Sequence, residues 1–273
     1  MDTNTLKKVQ HTVNEILFML DIFCRQNEVK YYLFYGSELG AVRHHGFIPW
    51  DNDADVAMFR EDYERFKELW LLNPVDGYFL QDEETDKGYT MKYAKIRKNN
   101  TAFAEVRNKD IDMHHGIFVD IFILDDYVKN KFLRRITEMI TMFDINAKKD
   151  YLPIHSGRFL YKITNKLFKN GKIYDFWYKK VFPKLKKDKT MCSDIVSFTF
   201  KKQYDFKREW LGAPEYIEYD GGFLPVPKNT HETLKACYGD YMKPPPEEDR
   251  ESTHRIHFLS FEEEYHPDKK EVL

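Results

Sequence analysis

The sequence predicts an α/β (α+β) fold, a mixed sheet flanked by helices and interrupted by a basic helical insert. Amphipathic stretches with apolar residues three and four apart alternate with short apolar runs bounded by Gly, Asn and Asp, the pattern of helices and strands in one core. An Asp-x-Asp pair falls on one of the runs of strand length. Between residues 129 and 189, 17 Lys/Arg stand against 5 Asp/Glu, in a chain of 273 residues whose formal net charge is only −2.

In chain order, Leu6, Val9, Val13, Ile16, Leu17 and Leu20 mark an opening helix. Tyr31–Tyr35 reads as a buried strand that Gly36-Ser37 ends in a turn, with a short helix over Glu38–Arg43. Asp53 and Asp55 sit on the next strand, followed by a helix over Glu61–Leu72 that stops near Asn73-Pro74. Tyr78–Gln81, Lys92–Arg97, Ala102–Val106 and Gly116–Leu124 have strand character. In the basic block, Phe132, Leu133, Ile136, Met139, Ile140 and Phe143 recur at helical spacing, as do Phe159, Leu160, Ile163 and Leu167 beside Lys162, Lys166 and Lys169. Asn229 and Glu232 have capping-box spacing, Gly239 reads as a helix stop, and Pro244-Pro245-Pro246 ends regular structure. The expected organisation is a catalytic core over 1–128, the insert over 129–189, a part completing the core over 190–257, and a loose tail over 258–273.

Composition bounds the class. With 42% hydrophobic residues there is chain enough for one large or two small cores. No apolar run approaches the ~20 residues that span a bilayer, and Met1-Asp2-Thr3-Asn4 lacks a signal-peptide start, so a cytoplasmic location is expected. Cys24, Cys192 and Cys237 lie far apart with no Cys-x-x-Cys pair, which argues for buried thiols rather than a disulfide framework or zinc ribbon. The basic block fits an anionic membrane surface, the solvated face of helices, or nucleic acid, the last least of all.

The chemistry is concentrated around Asp53 and Asp55. Alternate side chains of a strand share a face, so the two carboxylates point together and repel unless a proton or cation lies between them. Hard oxygen ligands beside room for phosphate suit Mg²⁺, or Mn²⁺ in its place. Gly36 and Ser37, at the start of a helix, offer N–H groups to an anion. Asp120 is a lone carboxylate in the apolar run Ile117–Ile123, costly there unless paired or bound to a cation, and so a third member of the site as metal ligand or base. Arg43, Lys95 and Arg97 are cations able to meet phosphate oxygens or to form ordinary surface pairs, and their residue types alone do not decide between the two; His115 and His254 are weaker candidates for substrate contact.

The run Gly36–Asp55, continuing to Arg60-Glu61-Asp62-Tyr63, resembles the signature of the LicD family, with further similarity at Lys95-Ile96-Arg97, His115–Phe122, Pro225-Val226-Pro227 and Tyr238–Tyr241. Glu38 stands where a short uncharged residue is usual, and Asn52 and Ala54 replace a commoner Asp and Ile. The resemblance implies a nucleotidyltransferase-like fold and metal-dependent transfer of a phospho-alcohol, most readily phosphocholine, from a CDP-linked donor to a glycan hydroxyl on a lipid carrier, such as a teichoic acid, lipopolysaccharide or capsule precursor. It implies Asp53, Asp55 and Asp120 as catalytic and metal-binding groups, and Gly36, Ser37, Arg43, Lys95 and Arg97 on the phosphates. Trp50 then offers a cation–π face for choline. It also favours contact of 129–189 with the inner face of the membrane and no nucleic-acid partner. Glycerol or ribitol phosphate as cargo, a nucleoside-triphosphate-dependent nucleotidyltransferase, and a non-catalytic glycan- or membrane-binding protein are the alternatives.

Overall fold

Helix α1 (Thr3–Gln26) begins on Asp2, whose side chain accepts from the amides of Asn4 and Thr5. Its stripe Val9, Val13, Ile16, Leu17 and Leu20 is buried against the main core, as its period requires. The structure, a computed structural model, describes residues 1–148, 165–194, 205–250 and 254–267. It falls into two units: 1–89 with 93–123 and 209–273, and 90–92 with 124–208.

In the first unit, β1 (Tyr32–Leu33) leads directly into α2 (Tyr35–His44). Gly36 and Ser37 therefore lie inside the first helical turn, not in a turn before it. The reversal is made at Tyr35, whose φ of 45° is a left-handed conformation unusual for a bulky residue. Packing compensates for it: the buried Tyr35 ring lies 5.1 Å from that of Phe122 and 4.6 Å from that of Phe34. Strand β2 (Asp55–Phe59) opens on Asp55, so Asp53 lies in the segment just before the strand rather than on it. Helix α3 (Arg60–Leu72) and strands β3 (Tyr78–Gln81), β4 (Ala94–Lys98) and β5 (Ala102–Glu105) follow.

A long strand, β6 (Phe118–Val128), completes a sheet of order β1-β2-β6-β4-β3. Its registers place Lys95 opposite Asp120 and Tyr32 opposite Ala57. The backbone amide of Asp120 donates to the carbonyl of Ala54 at 2.9 Å, which brings the Asp120 strand beside the acidic segment.

Strand β5 pairs instead with a strand from far along the chain, Ile256–Ser260. The tail expected to be loose from 258 therefore starts in a ladder. Its alternation is short and mixed with charge, too weak a signal to read alone, but β5 supplies an edge that backbone hydrogen bonds fill.

In the second unit, the end of β6 pairs with β7 (Lys187–Ser193), and β7 with β8 (Asp205–Lys207). These pairings carry the unit to Arg208, past the insert boundary expected at 189. Helix α4 (Lys131–Lys148) contributes Asp144, fully buried and 2.7 Å from the equally buried Lys92 ammonium, which lies 3.6 Å from the Tyr174 ring centroid. Such a pair is tolerated because each charge has its partner. The expected helical residues Phe159, Leu160, Lys162 and Ile163 lie outside the described residues. No described helix is long and apolar enough to cross a membrane.

Candidate active site

Asp53, Asp55 and Asp120 each present a carboxylate oxygen such that all three lie within 4.8 Å of one another. The convergence has a backbone cause: β2 neighbours β6, and the Asp120 amide on the Ala54 carbonyl sets Asp120 beside the residue between Asp53 and Asp55. Asp51 joins from one turn of the loop earlier, and a Cβ placed on Gly36 would lie 3.1 Å from its Oδ2 and 3.8 Å from that of Asp55. The start of α2 thus faces the carboxylates through a residue without a side chain. Ser37 is turned toward the same loop, its Oγ accepting from the Asp55 amide at 2.8 Å.

Two cations already serve the cluster. Lys95 is buried, donates to Asp120, and has its ammonium 3.4 Å from the Phe118 ring centroid. His254 donates from Nε2 to Asp53 Oδ2 at 2.8 Å and from Nδ1 to Glu105 Oε1 at 2.7 Å. Burial opposes the charged imidazole, but the two carboxylates win and push its pKa up to about 10. Burial likewise works to raise Asp53, and the His254 imidazolium reverses it and holds this carboxyl below its usual range. Among the described residues Asp55 has no such cation hydrogen-bonded to it: burial, then Asp53, Asp120 and Asp51, push it well above. Asp51 is raised by burial and by Asp53.

The donor set is all oxygen, crowded, and under-neutralised at Asp55, which is what a small hard divalent cation fits. Asp53, Asp55 and Asp120 are the residues able to hold one.

The other expected site residues distribute unevenly. Arg97 is buried beside the same Phe118 ring, but its hydrogen bonds go to Gln81 and the carbonyl of Gly116, as a structural brace of β3 and β4. Arg43 donates to His44 Nε2 at 2.9 Å and to the Tyr241 carbonyl at 2.8 Å. His115 is buried with Nε2 at 2.9 Å from the Ile111 carbonyl, apart from the carboxylates. Over the Trp50 ring lies the chain's own Arg250, its guanidinium carbon 5.4 Å from the centroid. Beside the carboxylates, Trp50, Asn52, Arg250, His254 and Arg255 line a cavity of about 790 Å³.

Sequence reasoning missed Asp51, Glu105 and Arg250, and placed His254 among weak candidates. Glu105 carried a readable signal, a lone acid closing the apolar run Ala102-Phe103-Ala104, the same kind of anomaly that singled out Asp120.

A family model described as "LicD/FKTN/FKRP, nucleotidyltransferase domain" matches residues 28–164. The lipopolysaccharide cholinephosphotransferase LicD of Haemophilus influenzae is 31% identical over 278 residues, covering 92% of this chain and 96% of that protein. Uncharacterized proteins of Rickettsia typhi and Rickettsia prowazekii are 43% and 49% identical over 56 and 58 residues, about a fifth of this chain and of each relative.

Proposed function

The chain belongs to the LicD family, and on that premise we propose that it transfers a phospho-alcohol, phosphocholine before glycerol or ribitol phosphate, from a CDP-linked donor to a hydroxyl of a cell-surface glycan precursor. The observation that carries this reading is the convergence of Asp53, Asp55 and Asp120 beside the start of α2. Teichoic acid, lipopolysaccharide and capsule precursors on a lipid carrier are the acceptor classes.

A magnesium ion held by Asp53, Asp55 and Asp120 would neutralise phosphate charge and make the cytidine monophosphate side a better leaving group. The chain's own residues do the rest. Gly36 lets the phosphates approach the first amides of α2. Lys95 screens Asp120 from an incoming phosphate and adds positive charge where the transition state is negative. The acceptor oxygen attacks the phosphorus bearing the alcohol, the bond to cytidine monophosphate breaks with its electron pair, and a carboxylate of the cluster takes the hydroxyl proton. Glu105 and His254 fix the rotamer of Asp53 throughout.

A donor panel tests the proposal: CDP-choline, CDP-glycerol and CDP-ribitol against nucleoside triphosphates, with mass spectrometry of the released nucleotide. Cytidine monophosphate released together with a phospho-alcohol-modified acceptor is expected. Pyrophosphate released from a triphosphate, with a nucleotide on the acceptor, would replace this reading by the nucleotidyltransferase one.

The second unit supports peripheral contact with an anionic membrane surface on the cytoplasmic side. Phe132, Met139, Leu167 and Phe176 are exposed there among the lysines of the basic block, and such a mixture of apolar anchors and cations partitions to anionic lipid.

A further inference from the structure

The cavity beside the carboxylates has a composition the reaction so far leaves unused. Its volume of about 790 Å³ lies in the range of small-molecule sites. Leu6, Ile256 and Leu259 give it an apolar side, while Asn52, Arg250 and Arg255 give it a polar one. His254 belongs both to this lining and to the pair with Asp53, so a ligand in the cavity lies next to the reacting phosphates.

Two features of the lining bear on what it would bind, an unsatisfied amide and a partly exposed guanidinium. Asn52 is 2% exposed, and among the described residues neither Oδ1 nor Nδ2 of its amide has a hydrogen-bond partner. A buried amide in that state calls for a ligand offering a donor and an acceptor side by side. Arg250 is held by its Nε to the Pro245 carbonyl at 2.9 Å and by the Trp50 face, and its acidic neighbour Glu247 is 3.7 Å away and 90% exposed. Arg43 stands near enough that burial and the Arg250 charge both lower its pKa. Arg250 and Arg255 both line the cavity, against the single carboxylate of Asp2 in its described lining, and guanidinium groups so placed offer a seat for an anion. A planar heterocycle with a donor–acceptor edge, linked to phosphate, satisfies all of these demands at once, and the Watson–Crick edge of cytosine meets a primary amide in this way.

We infer that this cavity receives the nucleoside half of the donor, the Asn52 amide reading the base edge and Arg250, backed by Trp50, anchoring the phosphate attached to the nucleoside. The inference rests on the reading of the chain as a CDP-alcohol transferase.

Cytidine monophosphate is the probe, titrated calorimetrically into the full chain with magnesium present, for wild type, Asn52→Ala, Arg250→Gln and the conservative Arg250→Lys, with circular dichroism confirming the fold of each. Binding to wild type is expected to weaken by about tenfold or more in Asn52→Ala and Arg250→Gln, as for loss of a buried or charged hydrogen bond, with Arg250→Lys intermediate. In turnover, KM for CDP-choline should rise by the same factor in Asn52→Ala while kcat stays within about threefold, whereas Arg250→Gln, which loses a cation on the leaving phosphate, should lower kcat as well; inhibition by phosphocholine should not change in either. Wild type that fails to bind cytidine monophosphate, or folded variants that bind it equally well, would overturn the inference. So would a change in acceptor KM or phosphocholine inhibition in its place. The transferase reading fails separately, if wild type binds the nucleotide yet turns over no CDP-alcohol.

Discussion

His254 and Asp53 are separated by 201 residues of chain and joined by 2.8 Å. This contact, with Glu105 on the other ring nitrogen, favours the charged form of one carboxylate of the cluster, while burial and like charges work against that form at Asp55 and Asp51.

Replacing Asp53 or Asp55 by Asn should lower kcat by about 1,000-fold or more, the loss typical of removing electrostatic stabilisation of a transition state. Asp55→Asn should keep or raise the thermal midpoint without metal, because a carboxyl strained by burial and like charges becomes a neutral amide of the same shape. Wild type should gain about 2.7 kcal/mol from magnesium at a hundred times its Kd, and the variant much less. Calorimetric scans with and without magnesium check both statements; a variant that turns over at the wild-type rate would remove these residues from the chemistry.

Glu105→Gln should lower kcat by about 10- to 100-fold, the usual effect of losing a group that orients a ligand residue, and should also lower the thermal midpoint, because it removes a buried carboxylate from His254 and Arg107. Steady-state kinetics with saturating donor measures it. An unaltered kcat would make Glu105 a partner of His254 for folding alone.

Two glycines of α2 should respond in opposite ways. A Cβ on Gly40 would lie 2.4 Å from the Gly46 carbonyl oxygen, a backbone atom, so Gly40→Ala should destabilise by about 1–3 kcal/mol. At Gly36 the nearest atom is the end of the Asp51 side chain, which can yield. Gly36→Ala should therefore unfold at nearly the wild-type urea concentration while losing activity.

His114 supplies an acid-side pH dependence of stability. Burial, then the Arg97 charge, lower its pKa to about 4, against Glu264 and Asp86, which raise it. A folded value below the unfolded 6.5 means that the neutral ring stabilises the fold above pH 6.5. That contribution is lost as pH falls from 6.5 to about 4, and it amounts to at most about 3 kcal/mol. Urea midpoints of wild type and His114→Gln should converge over that range; parallel curves would contradict the assignment.

Phe132→Asp combined with Met139→Asp should reduce sedimentation with vesicles rich in phosphatidylserine by about tenfold or more, and raised salt should weaken wild-type binding through the lysines. Equal sedimentation of the two proteins would leave the basic block as solvated surface.

Part of this site was legible because a lone charge in a short apolar context is a local signal, whereas the strand alternation read across Asp53 and Asp55 did not hold, β2 opening only at Asp55. Asp120 stood out as one charge in an otherwise apolar strand, and β3 was readable to the residue. The start of α2 was not, because packing of the Tyr35 ring on Phe122 stabilises a backbone conformation that Tyr adopts rarely, and no local pattern encodes a partner 87 positions away. The same holds for the strand Ile256–Ser260: its pairing with β5 is a long-range choice, and the roles of Glu105 and His254 appear only once that ladder exists. Arg97 shows the converse, since spacing put it on the face of Lys95 but could not say that Gln81 and Gly116 would occupy it.

The ladder of the strand Ile256–Ser260 on β5 also bears on how firmly the acidic cluster is held. His254 reaches Asp53 and Glu105 from the residue two before that strand, and its imidazolium keeps the Asp53 carboxyl below its usual range. Fraying of this edge strand would withdraw a cation from the cluster, so the charge state of Asp53 is tied to the docking of a segment 201 positions away.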